Sequence, residues 1–184
     1  MIDGGIDPDI FSFNILLGAC AEAASLAAAH RWFGRMMQAG MEADTVTHRT
    51  MVTVCARAGN PQLAEEWLTK MRDACHPLDE VSCSSLIAAH ATANDAIGAE
   101  RCLQRMQEEG VPAGRPAFDP VIRAWSAGGA ETAEPARAEG WLWKALEAGV
   151  EPTGASLVAL LAAFVRTGDL EGAERVAAVM RRLR

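Results

Sequence analysis

The chain has 184 residues, of which 50% are hydrophobic, 22% charged and 5% aromatic. This apolar content is enough for a folded core and excludes general disorder, whereas no apolar run reaches the roughly 18 residues that a membrane span needs. The formal net charge of −7 disfavours a protein coated in positive charge for indiscriminate binding of nucleic acids or anionic membranes.

The first elements predicted along the chain are two short helices joined by a turn. Four apolar residues follow the i, i+3, i+4, i+7 spacing of one helix face: Phe13, Leu16, Leu17 and Cys20. After a break at residues 22–25, the apolar residues have helical spacing again: Leu26, Ala29, Trp32, Phe33 and Met36. This pattern predicts a helix–turn–helix unit.

Start and stop signals for second helices recur further along the chain. Three residues are predicted N-caps of second helices: Ser25, Asp95 and Asp169. Pro61 stands near the start of its helix, where the missing N–H costs least. Three glycines follow second helices, at a position where a left-handed residue is favoured: Gly40, Gly110 and Gly149.

The same pattern returns at a fixed spacing. Successive members of one set of equivalent positions lie 35, 35, 39 and 35 residues apart: Met36, Met71, Met106, Ala145 and Met180. A second set has the same spacing: Ala29, Ala64, Ala99, Ala138 and Ala173. A third set shares it: Trp32, Trp67, Cys102, Trp141 and Val176. The sequence is therefore a tandem repeat with one four-residue insertion.

These repeats predict an all-α fold, a right-handed α-solenoid of helix–turn–helix repeats of about 35 residues. The predicted units are the end of a truncated repeat (1–9), repeat 1 (10–44), repeat 2 (45–79), repeat 3 (80–114), repeat 4 with a longer inter-helix turn (115–153) and a partial repeat 5 (154–184). Met1 and Arg184 fall inside units and lack polar terminal caps, so we expect the chain to be a segment of a longer protein, the alternative being that a partner covers its ends.

The residues of the first unit carry a family resemblance. The segment Ile10-Phe11-Ser12-Phe13-Asn14-Ile15-Leu16-Leu17, continued to Ala39-Gly40-Met41-Glu42-Ala43-Asp44, closely resembles the pentatricopeptide repeat. That pattern is roughly V-V-T-Y-N-T-L-I, a short turn, and then A-x-x-L-F-x-x-M-x-x-x-G-x-x-P-D. The segment Thr45-Val46-Thr47-His48 opens the second unit in the same way, whereas the fourth unit has Ala145 in place of Met.

The resemblance implies a groove lined by first helices that holds single-stranded RNA, with one base read per repeat. The implied reading pairs are Asn14 with Asp44, Arg49 with Asp79, Ser84 with Gly114, Asp119 with Thr153, and Val158 without a partner in the chain. The implied residues that sandwich the bases are Phe11, Val46, Val81, Pro116 and Ala155. Asn14 with Asp44 is the pair that the family uses regularly, and it implies a preference for uracil.

Other roles stay open for several of these side chains. Arg49 is long for a base-edge contact, and pairing with Asp79 or contact with phosphate are the alternatives. Asn14 and Ser84 are small polar residues near helix starts, where bonds to the backbone are the structural alternative. Two arginines occupy equivalent positions near first-helix ends, where they either contact phosphate or solvate the helix end: Arg57 and Arg166.

The sequence predicts neither an enzyme nor a cofactor. The four histidines are scattered, and the cluster Cys75, His76 and Cys83 lacks the fourth ligand of a tetrahedral zinc site. Cys20 and Cys55 occupy equivalent positions and are predicted core residues. Five cysteines without paired spacing indicate a reducing compartment.

Two functions follow from the resemblance. The first is a module that binds single-stranded RNA in organelle RNA processing, stability or translation, in a mitochondrion or chloroplast. The second is a structural solenoid that binds protein partners within a large organellar ribonucleoprotein such as a ribosome, which the net charge of −7 and the irregular reading pairs favour. The acidic segment 1–9 is not typical of a targeting peptide, and no membrane insertion is expected.

Overall fold

The computed structural model describes residues 8–128 and 133–183. Within these ranges the regular secondary structure consists of ten α-helices, with no strand. The helices are α1 (Ile10–Glu22), α2 (Leu26–Gln38), α3 (Thr45–Arg57), α4 (Pro61–Asp73), α5 (Glu80–Thr92), α6 (Ala96–Glu108), α7 (Arg115–Ser126), α8 (Pro135–Glu147), α9 (Gly154–Thr167) and α10 (Leu170–Arg182). None of the helices in these ranges is long and apolar enough to cross a membrane.

Polar side chains fix where most of the helices begin. The carboxylates of Asp95 and Asp169 cap α6 and α10, accepting from the N–H groups of Gly98 and Gly172 at 2.8 and 2.9 Å. Ser25 occupies the N-cap position of α2, but its side chain forms no capping hydrogen bond. Pro61 begins α4, as the sequence predicts.

A residue with positive φ follows most of the helices. Gly40, Gly110 and Gly149 have φ values of 76°, 71° and 73°, which confirms their predicted role after the second helices. The equivalent position after α4 is occupied by Cys75 at φ 57°, and the turn between α1 and α2 contains Ala24 at φ 48°. These two residues therefore adopt a left-handed backbone conformation in which glycine is favoured.

Two compact units divide the chain, one up to Ala89 and one from His90 onward. In the first unit α1 packs on α2, α3 packs on α4, and the first helices α1 and α3 pack on each other. Leu17, Met36, Met51 and Met71 are fully buried among these helices. The apolar residues at equivalent repeat positions therefore form one core within this unit.

The second unit repeats this arrangement. Here α7 packs on α8, α9 packs on α10, and the first helices α7 and α9 pack on each other. Its fully buried large side chains include Phe118, Leu142 and Phe164. The unit is thus built from helical hairpins with a continuous apolar interior.

The buried positions agree with the repeat pattern. The alanines Ala29, Ala64, Ala99 and Ala138 are fully buried. Cys20 and Cys55 are buried, as predicted, and Leu86 and Ile87 of α5 are buried as well. Of the three repeated tryptophans, Trp67 and Trp141 are buried and Trp32 is half-buried.

Some predictions fall wholly or partly on residues outside the described ranges. They are the truncated repeat at 1–9, of which residues 1–7 lie outside, part of the longer turn of the fourth repeat at 129–132, and Arg184.

Candidate nucleic-acid interface

Asn14 and Asp44 meet where the first helix of one repeat approaches the start of the next. The Asn14 amide Nδ2 donates to the Asp44 carboxylate, at 3.2 Å to Oδ1 and 3.3 Å to Oδ2. The hydroxyl of Thr47 lies 2.8 Å from both Asn14 Oδ1 and Asp44 Oδ1. Because a carboxylate only accepts, the network fixes which edge of the Asn14 amide faces Asp44.

Asp44 also begins the following helix. It is the N-cap of α3, and its Oδ1 accepts from the Thr47 backbone N–H at 2.7 Å. Partial burial acts to raise the pKa of Asp44, but the hydrogen bonds from Thr47 and Asn14 outweigh it and hold that pKa below its ordinary value. Asp44 is therefore an ionised acceptor at neutral pH.

The next junction brings together Arg49 and Asp79. Arg49 Nη1 lies 3.4 Å from Asp79 Oδ2, and both side chains are partly exposed. Asp79 also accepts from the Ser82 N–H at 2.8 Å and so begins α5. Of the roles left open for Arg49, the structure therefore shows the ion pair with Asp79.

Asp119 and Thr153 meet in the second unit, but through the backbone. The Thr153 N–H donates to Asp119 Oδ1 at 3.1 Å, and Asp119 is only 7% exposed. The hydroxyl of Thr153 accepts from the Ser156 N–H at 3.3 Å and caps α9. This pair therefore presents less of its polar surface to solvent than Asn14 and Asp44 do.

Ser84 is engaged with its own helix. Its hydroxyl donates to the Glu80 carbonyl oxygen at 2.6 Å, and the residue is 9% exposed. Gly114, its implied partner, is the N-cap of α7 and has no side chain for a contact. Of the two roles predicted for Ser84, the structure therefore shows the hydrogen bond to the backbone.

Apolar residues flank these polar positions on the surface. Phe11, Val46 and Val81, three residues before the first member of each pair, are 69%, 40% and 54% exposed. Pro116 and Ala155 are exposed at the equivalent positions of α7 and α9. A base that enters between two such side chains would find an apolar surface on each face.

Arg57 and Arg166 bind the end of the preceding first helix. Arg57 Nη1 donates to the Ala21 carbonyl oxygen at 3.3 Å, and Arg166 Nη2 donates to the Ser126 carbonyl oxygen at 2.6 Å. A guanidinium is favourable there, because the last carbonyls of a helix are unsatisfied and carry partial negative charge. Each arginine has further N–H donors, so contact with phosphate stays a prediction for both.

The capping pattern is the feature that sequence reasoning missed. An Asp or Thr is followed three residues later by a Ser or Thr at four helix starts: Asp9 and Ser12, Asp44 and Thr47, Asp79 and Ser82, Thr153 and Ser156. This recurrence is visible in the sequence, and it indicates that the second residue of three implied reading pairs also begins a helix: Asp44, Asp79 and Thr153.

Two sequence families match the chain. The PPR repeat family matches residues 8–57, and the family described as pentatricopeptide repeat-containing protein matches residues 49–133. The chain belongs to the pentatricopeptide repeat family. No curated protein sequence matches it.

Solved structures of pentatricopeptide repeat proteins share the fold. Maize PPR10 matches with a TM-score of 0.80 and 18% identity, over 99% of this chain and 26% of that chain. PPR10 in complex with an 18-nt psaJ RNA element gives a TM-score of 0.77 at 18% identity, over 95% and 25%. The PPR domain of Arabidopsis thaliana protein-only RNase P 1, in complex with tRNA, gives 0.76 at 15%, over 91% and 86%.

These matches confirm the predicted fold class of all-α helical repeats. The chain spans about a quarter of the length of PPR10. In its described residues, the two members of an implied reading pair are in contact at three junctions: Asn14 with Asp44, Arg49 with Asp79, and Asp119 with Thr153.

Proposed function

We propose that this chain is a pentatricopeptide repeat module that binds single-stranded RNA. The observation that carries the proposal is the contact between Asn14 and Asp44. It places the amide of Asn14, a hydrogen-bond donor, beside the ionised carboxylate of Asp44, an acceptor, at the surface. Phe11 and Val46 lie exposed on either side of this position in the repeat. Donor, acceptor and two apolar faces are what a splayed-out base requires.

The first junction carries most of the base preference in this proposal. There Asn14 and Asp44 read one base and prefer uracil, as the family resemblance implies. At the second junction Arg49 is paired with Asp79, which neutralises much of its charge, so this junction contributes little to selection among bases or to attraction for phosphate. Ser84 contributes little, since its hydroxyl is bonded to the backbone of its own helix.

The chain acts by binding and not by catalysis, and we place it in organelle RNA metabolism. Processing, stabilisation or translation of an RNA in a mitochondrion or chloroplast is the process that the family resemblance supports. The module needs no cofactor for this role. Its ligand is the RNA, and protein partners in a larger assembly are compatible with the same fold.

A protein-binding solenoid is the second candidate. The net charge of −7 favours it, because phosphate repels an acidic surface. The exposed side chains of Phe11 and Ile15 would then contact a protein rather than a base. This candidate places the chain as a structural subunit of a large organellar ribonucleoprotein assembly.

Titration with short single-stranded RNAs separates the two candidates. One RNA is rich in uracil and the other lacks it, and both are measured at two salt concentrations. Asn14→Thr should change the discrimination between them by about 1 kcal/mol, or about fivefold, because one base-edge contact changes. Gln62→Thr, at an exposed position of α4, is the matched control and should leave discrimination unchanged.

The same titration can exclude RNA. Equally weak binding of both RNAs to the wild-type chain and to both variants would refute the RNA proposal. The protein-binding solenoid would then be the function to pursue.

A further inference from the structure

A cavity of about 390 Å³ opens between the first helices α7 and α9 of the second unit. Its lining comes from the end of α7 and from α9: Arg123, Ser126, Ala127, Gly128, Ala159 and Arg166. Two of these side chains are guanidinium groups, and among the described residues that line the cavity none is a carboxylate. Its lining therefore carries two positive charges.

The local backbone makes room for this cavity. Helix α7 ends at Ser126, and Ala127 has extended backbone with φ −74° and ψ 161°. Arg166 reaches back from α9 and donates Nη2 to the Ser126 carbonyl oxygen at 2.6 Å. This bond holds the guanidinium at the cavity and uses one of its five N–H donors. The other donors and the exposed Arg123 supply the binding capacity.

The equivalent place between α1 and α3 provides an internal comparison. Arg57 there makes the same kind of bond to a helix-end carbonyl, but it also pairs with Glu22 at 2.9 Å. Glu22 is equivalent to Ala127, and Gly18 is equivalent to Arg123. The α1–α3 place thus has one neutralised arginine where the α7–α9 cavity has two arginines. The repeat architecture does not require the second positive charge.

We propose that the α7–α9 cavity is an oxyanion site that takes a phosphodiester group of bound single-stranded RNA. This inference rests on the proposed function and adds Arg123 as a phosphate-binding residue. Two guanidinium groups can donate in parallel to the oxygens of one phosphate, which is the geometry that arginine provides and lysine does not. The site positions the RNA backbone and selects no base.

The dependence of RNA affinity on salt tests this site. Affinity for RNA falls as salt rises, and one phosphate contact to single-stranded RNA contributes about 0.7 to the magnitude of the negative slope of log affinity against log salt concentration. Arg123→Gln should therefore reduce the magnitude of that slope by about 0.7, equally for an RNA rich in uracil and one without it. Arg105→Gln removes the same charge from α6, where Arg105 pairs with Glu109, and should leave the slope unchanged.

Transfer of the site to the first unit gives a converse test. The position of Gly18 has no atom within 4 Å of an added Cβ, so it has room for a side chain. Gly18→Arg combined with Glu22→Ala reproduces the charges of the α7–α9 cavity and should increase the magnitude of the slope by about 0.7. A slope for Arg123→Gln equal to that of Arg105→Gln overturns the proposal.

Inorganic phosphate distinguishes failure of the site from failure of the proposed function. The probe is the side-chain Nε–Hε NMR signal of Arg123, followed while phosphate replaces chloride at constant ionic strength. If the chain binds no RNA, the proposed function is refuted. A shift of the Arg123 signal in that same chain still supports an oxyanion site. RNA binding that is insensitive to Arg123→Gln, together with no response of Arg123 to phosphate, refutes the site and supports the function.

Discussion

Truncation of Leu17 tests how the first unit is held together. Leu17 of α1 is fully buried, and α1 packs on both α2 and α3. Leu17→Ala removes three carbon atoms, worth about 2.5 kcal/mol at about 0.8 kcal/mol per methylene. The remaining cavity brings the expected loss of unfolding free energy to about 3–4 kcal/mol. Because each repeat depends on its neighbours, the loss should raise the open population of this unit by about a hundredfold or more.

Buried cysteines provide the assay for this prediction. Cys55 is fully buried, and burial raises the pKa of its thiol to about 11, so it reacts with a thiol reagent only when the unit opens. Ile15→Ala is the control on the same helix, because Ile15 is 56% exposed and its truncation should cost less than about 0.5 kcal/mol. The exposed Cys75 should react fast in every variant. Equal labelling rates of Cys55 in Leu17→Ala and Ile15→Ala would refute the packing argument.

Two further predictions concern the junction residues. Hydrogen bonds hold the pKa of Asp44 below its ordinary value, so its stabilising effect is complete at neutral pH and is lost as pH falls through the lowered pKa. Asp44→Asn keeps a capping residue, and its melting temperature should fall less than that of the wild type below about pH 4; parallel melting curves would contradict this. Arg57→Gln should lower the unfolding free energy by about 0.5–1.5 kcal/mol, since it loses the bond to Ala21 and a solvent-screened ion pair. Urea denaturation measures this loss, and an equal change in Arg31→Gln, an exposed position of α2, would show that charge alone is responsible.

The repeat spacing predicts most of the fold, because helix periodicity and core positions are local properties of the sequence. Ala29 and Met36 are buried where the repeat spacing places them. The left-handed conformations of Ala24 and Cys75 are not predictable from residue type, since neither residue favours them. The register of the flanking helices imposes these conformations, and glycine stands at the equivalent positions of other repeats.

The contacts within the candidate site are harder to predict from the sequence than the fold is. The contact of Asn14 with Asp44 follows from the family resemblance, but the bridging hydroxyl of Thr47 depends on how α1 lies against the start of α3. The partner of Arg166 is a backbone carbonyl oxygen 40 residues away, and backbone atoms leave no signature in residue type. In the sequence, Arg123 does not differ from an ordinary exposed helix residue. The structure shows that it lies beside the cavity at the end of α7.

Redesign of such a protein to bind another RNA is limited by three residues that have two roles: Asp44, Asp79 and Thr153. Each of these residues starts a helix and, in the proposed function, also contributes to a contact with RNA. A designer who changes the recognised nucleotide must choose among Asp, Asn, Ser and Thr, because a replacement that cannot cap costs about 1 kcal/mol at each junction. That cost accumulates along an array whose repeats support one another. Helix initiation therefore limits which residue types can be used at these positions, independently of which base they are meant to recognise.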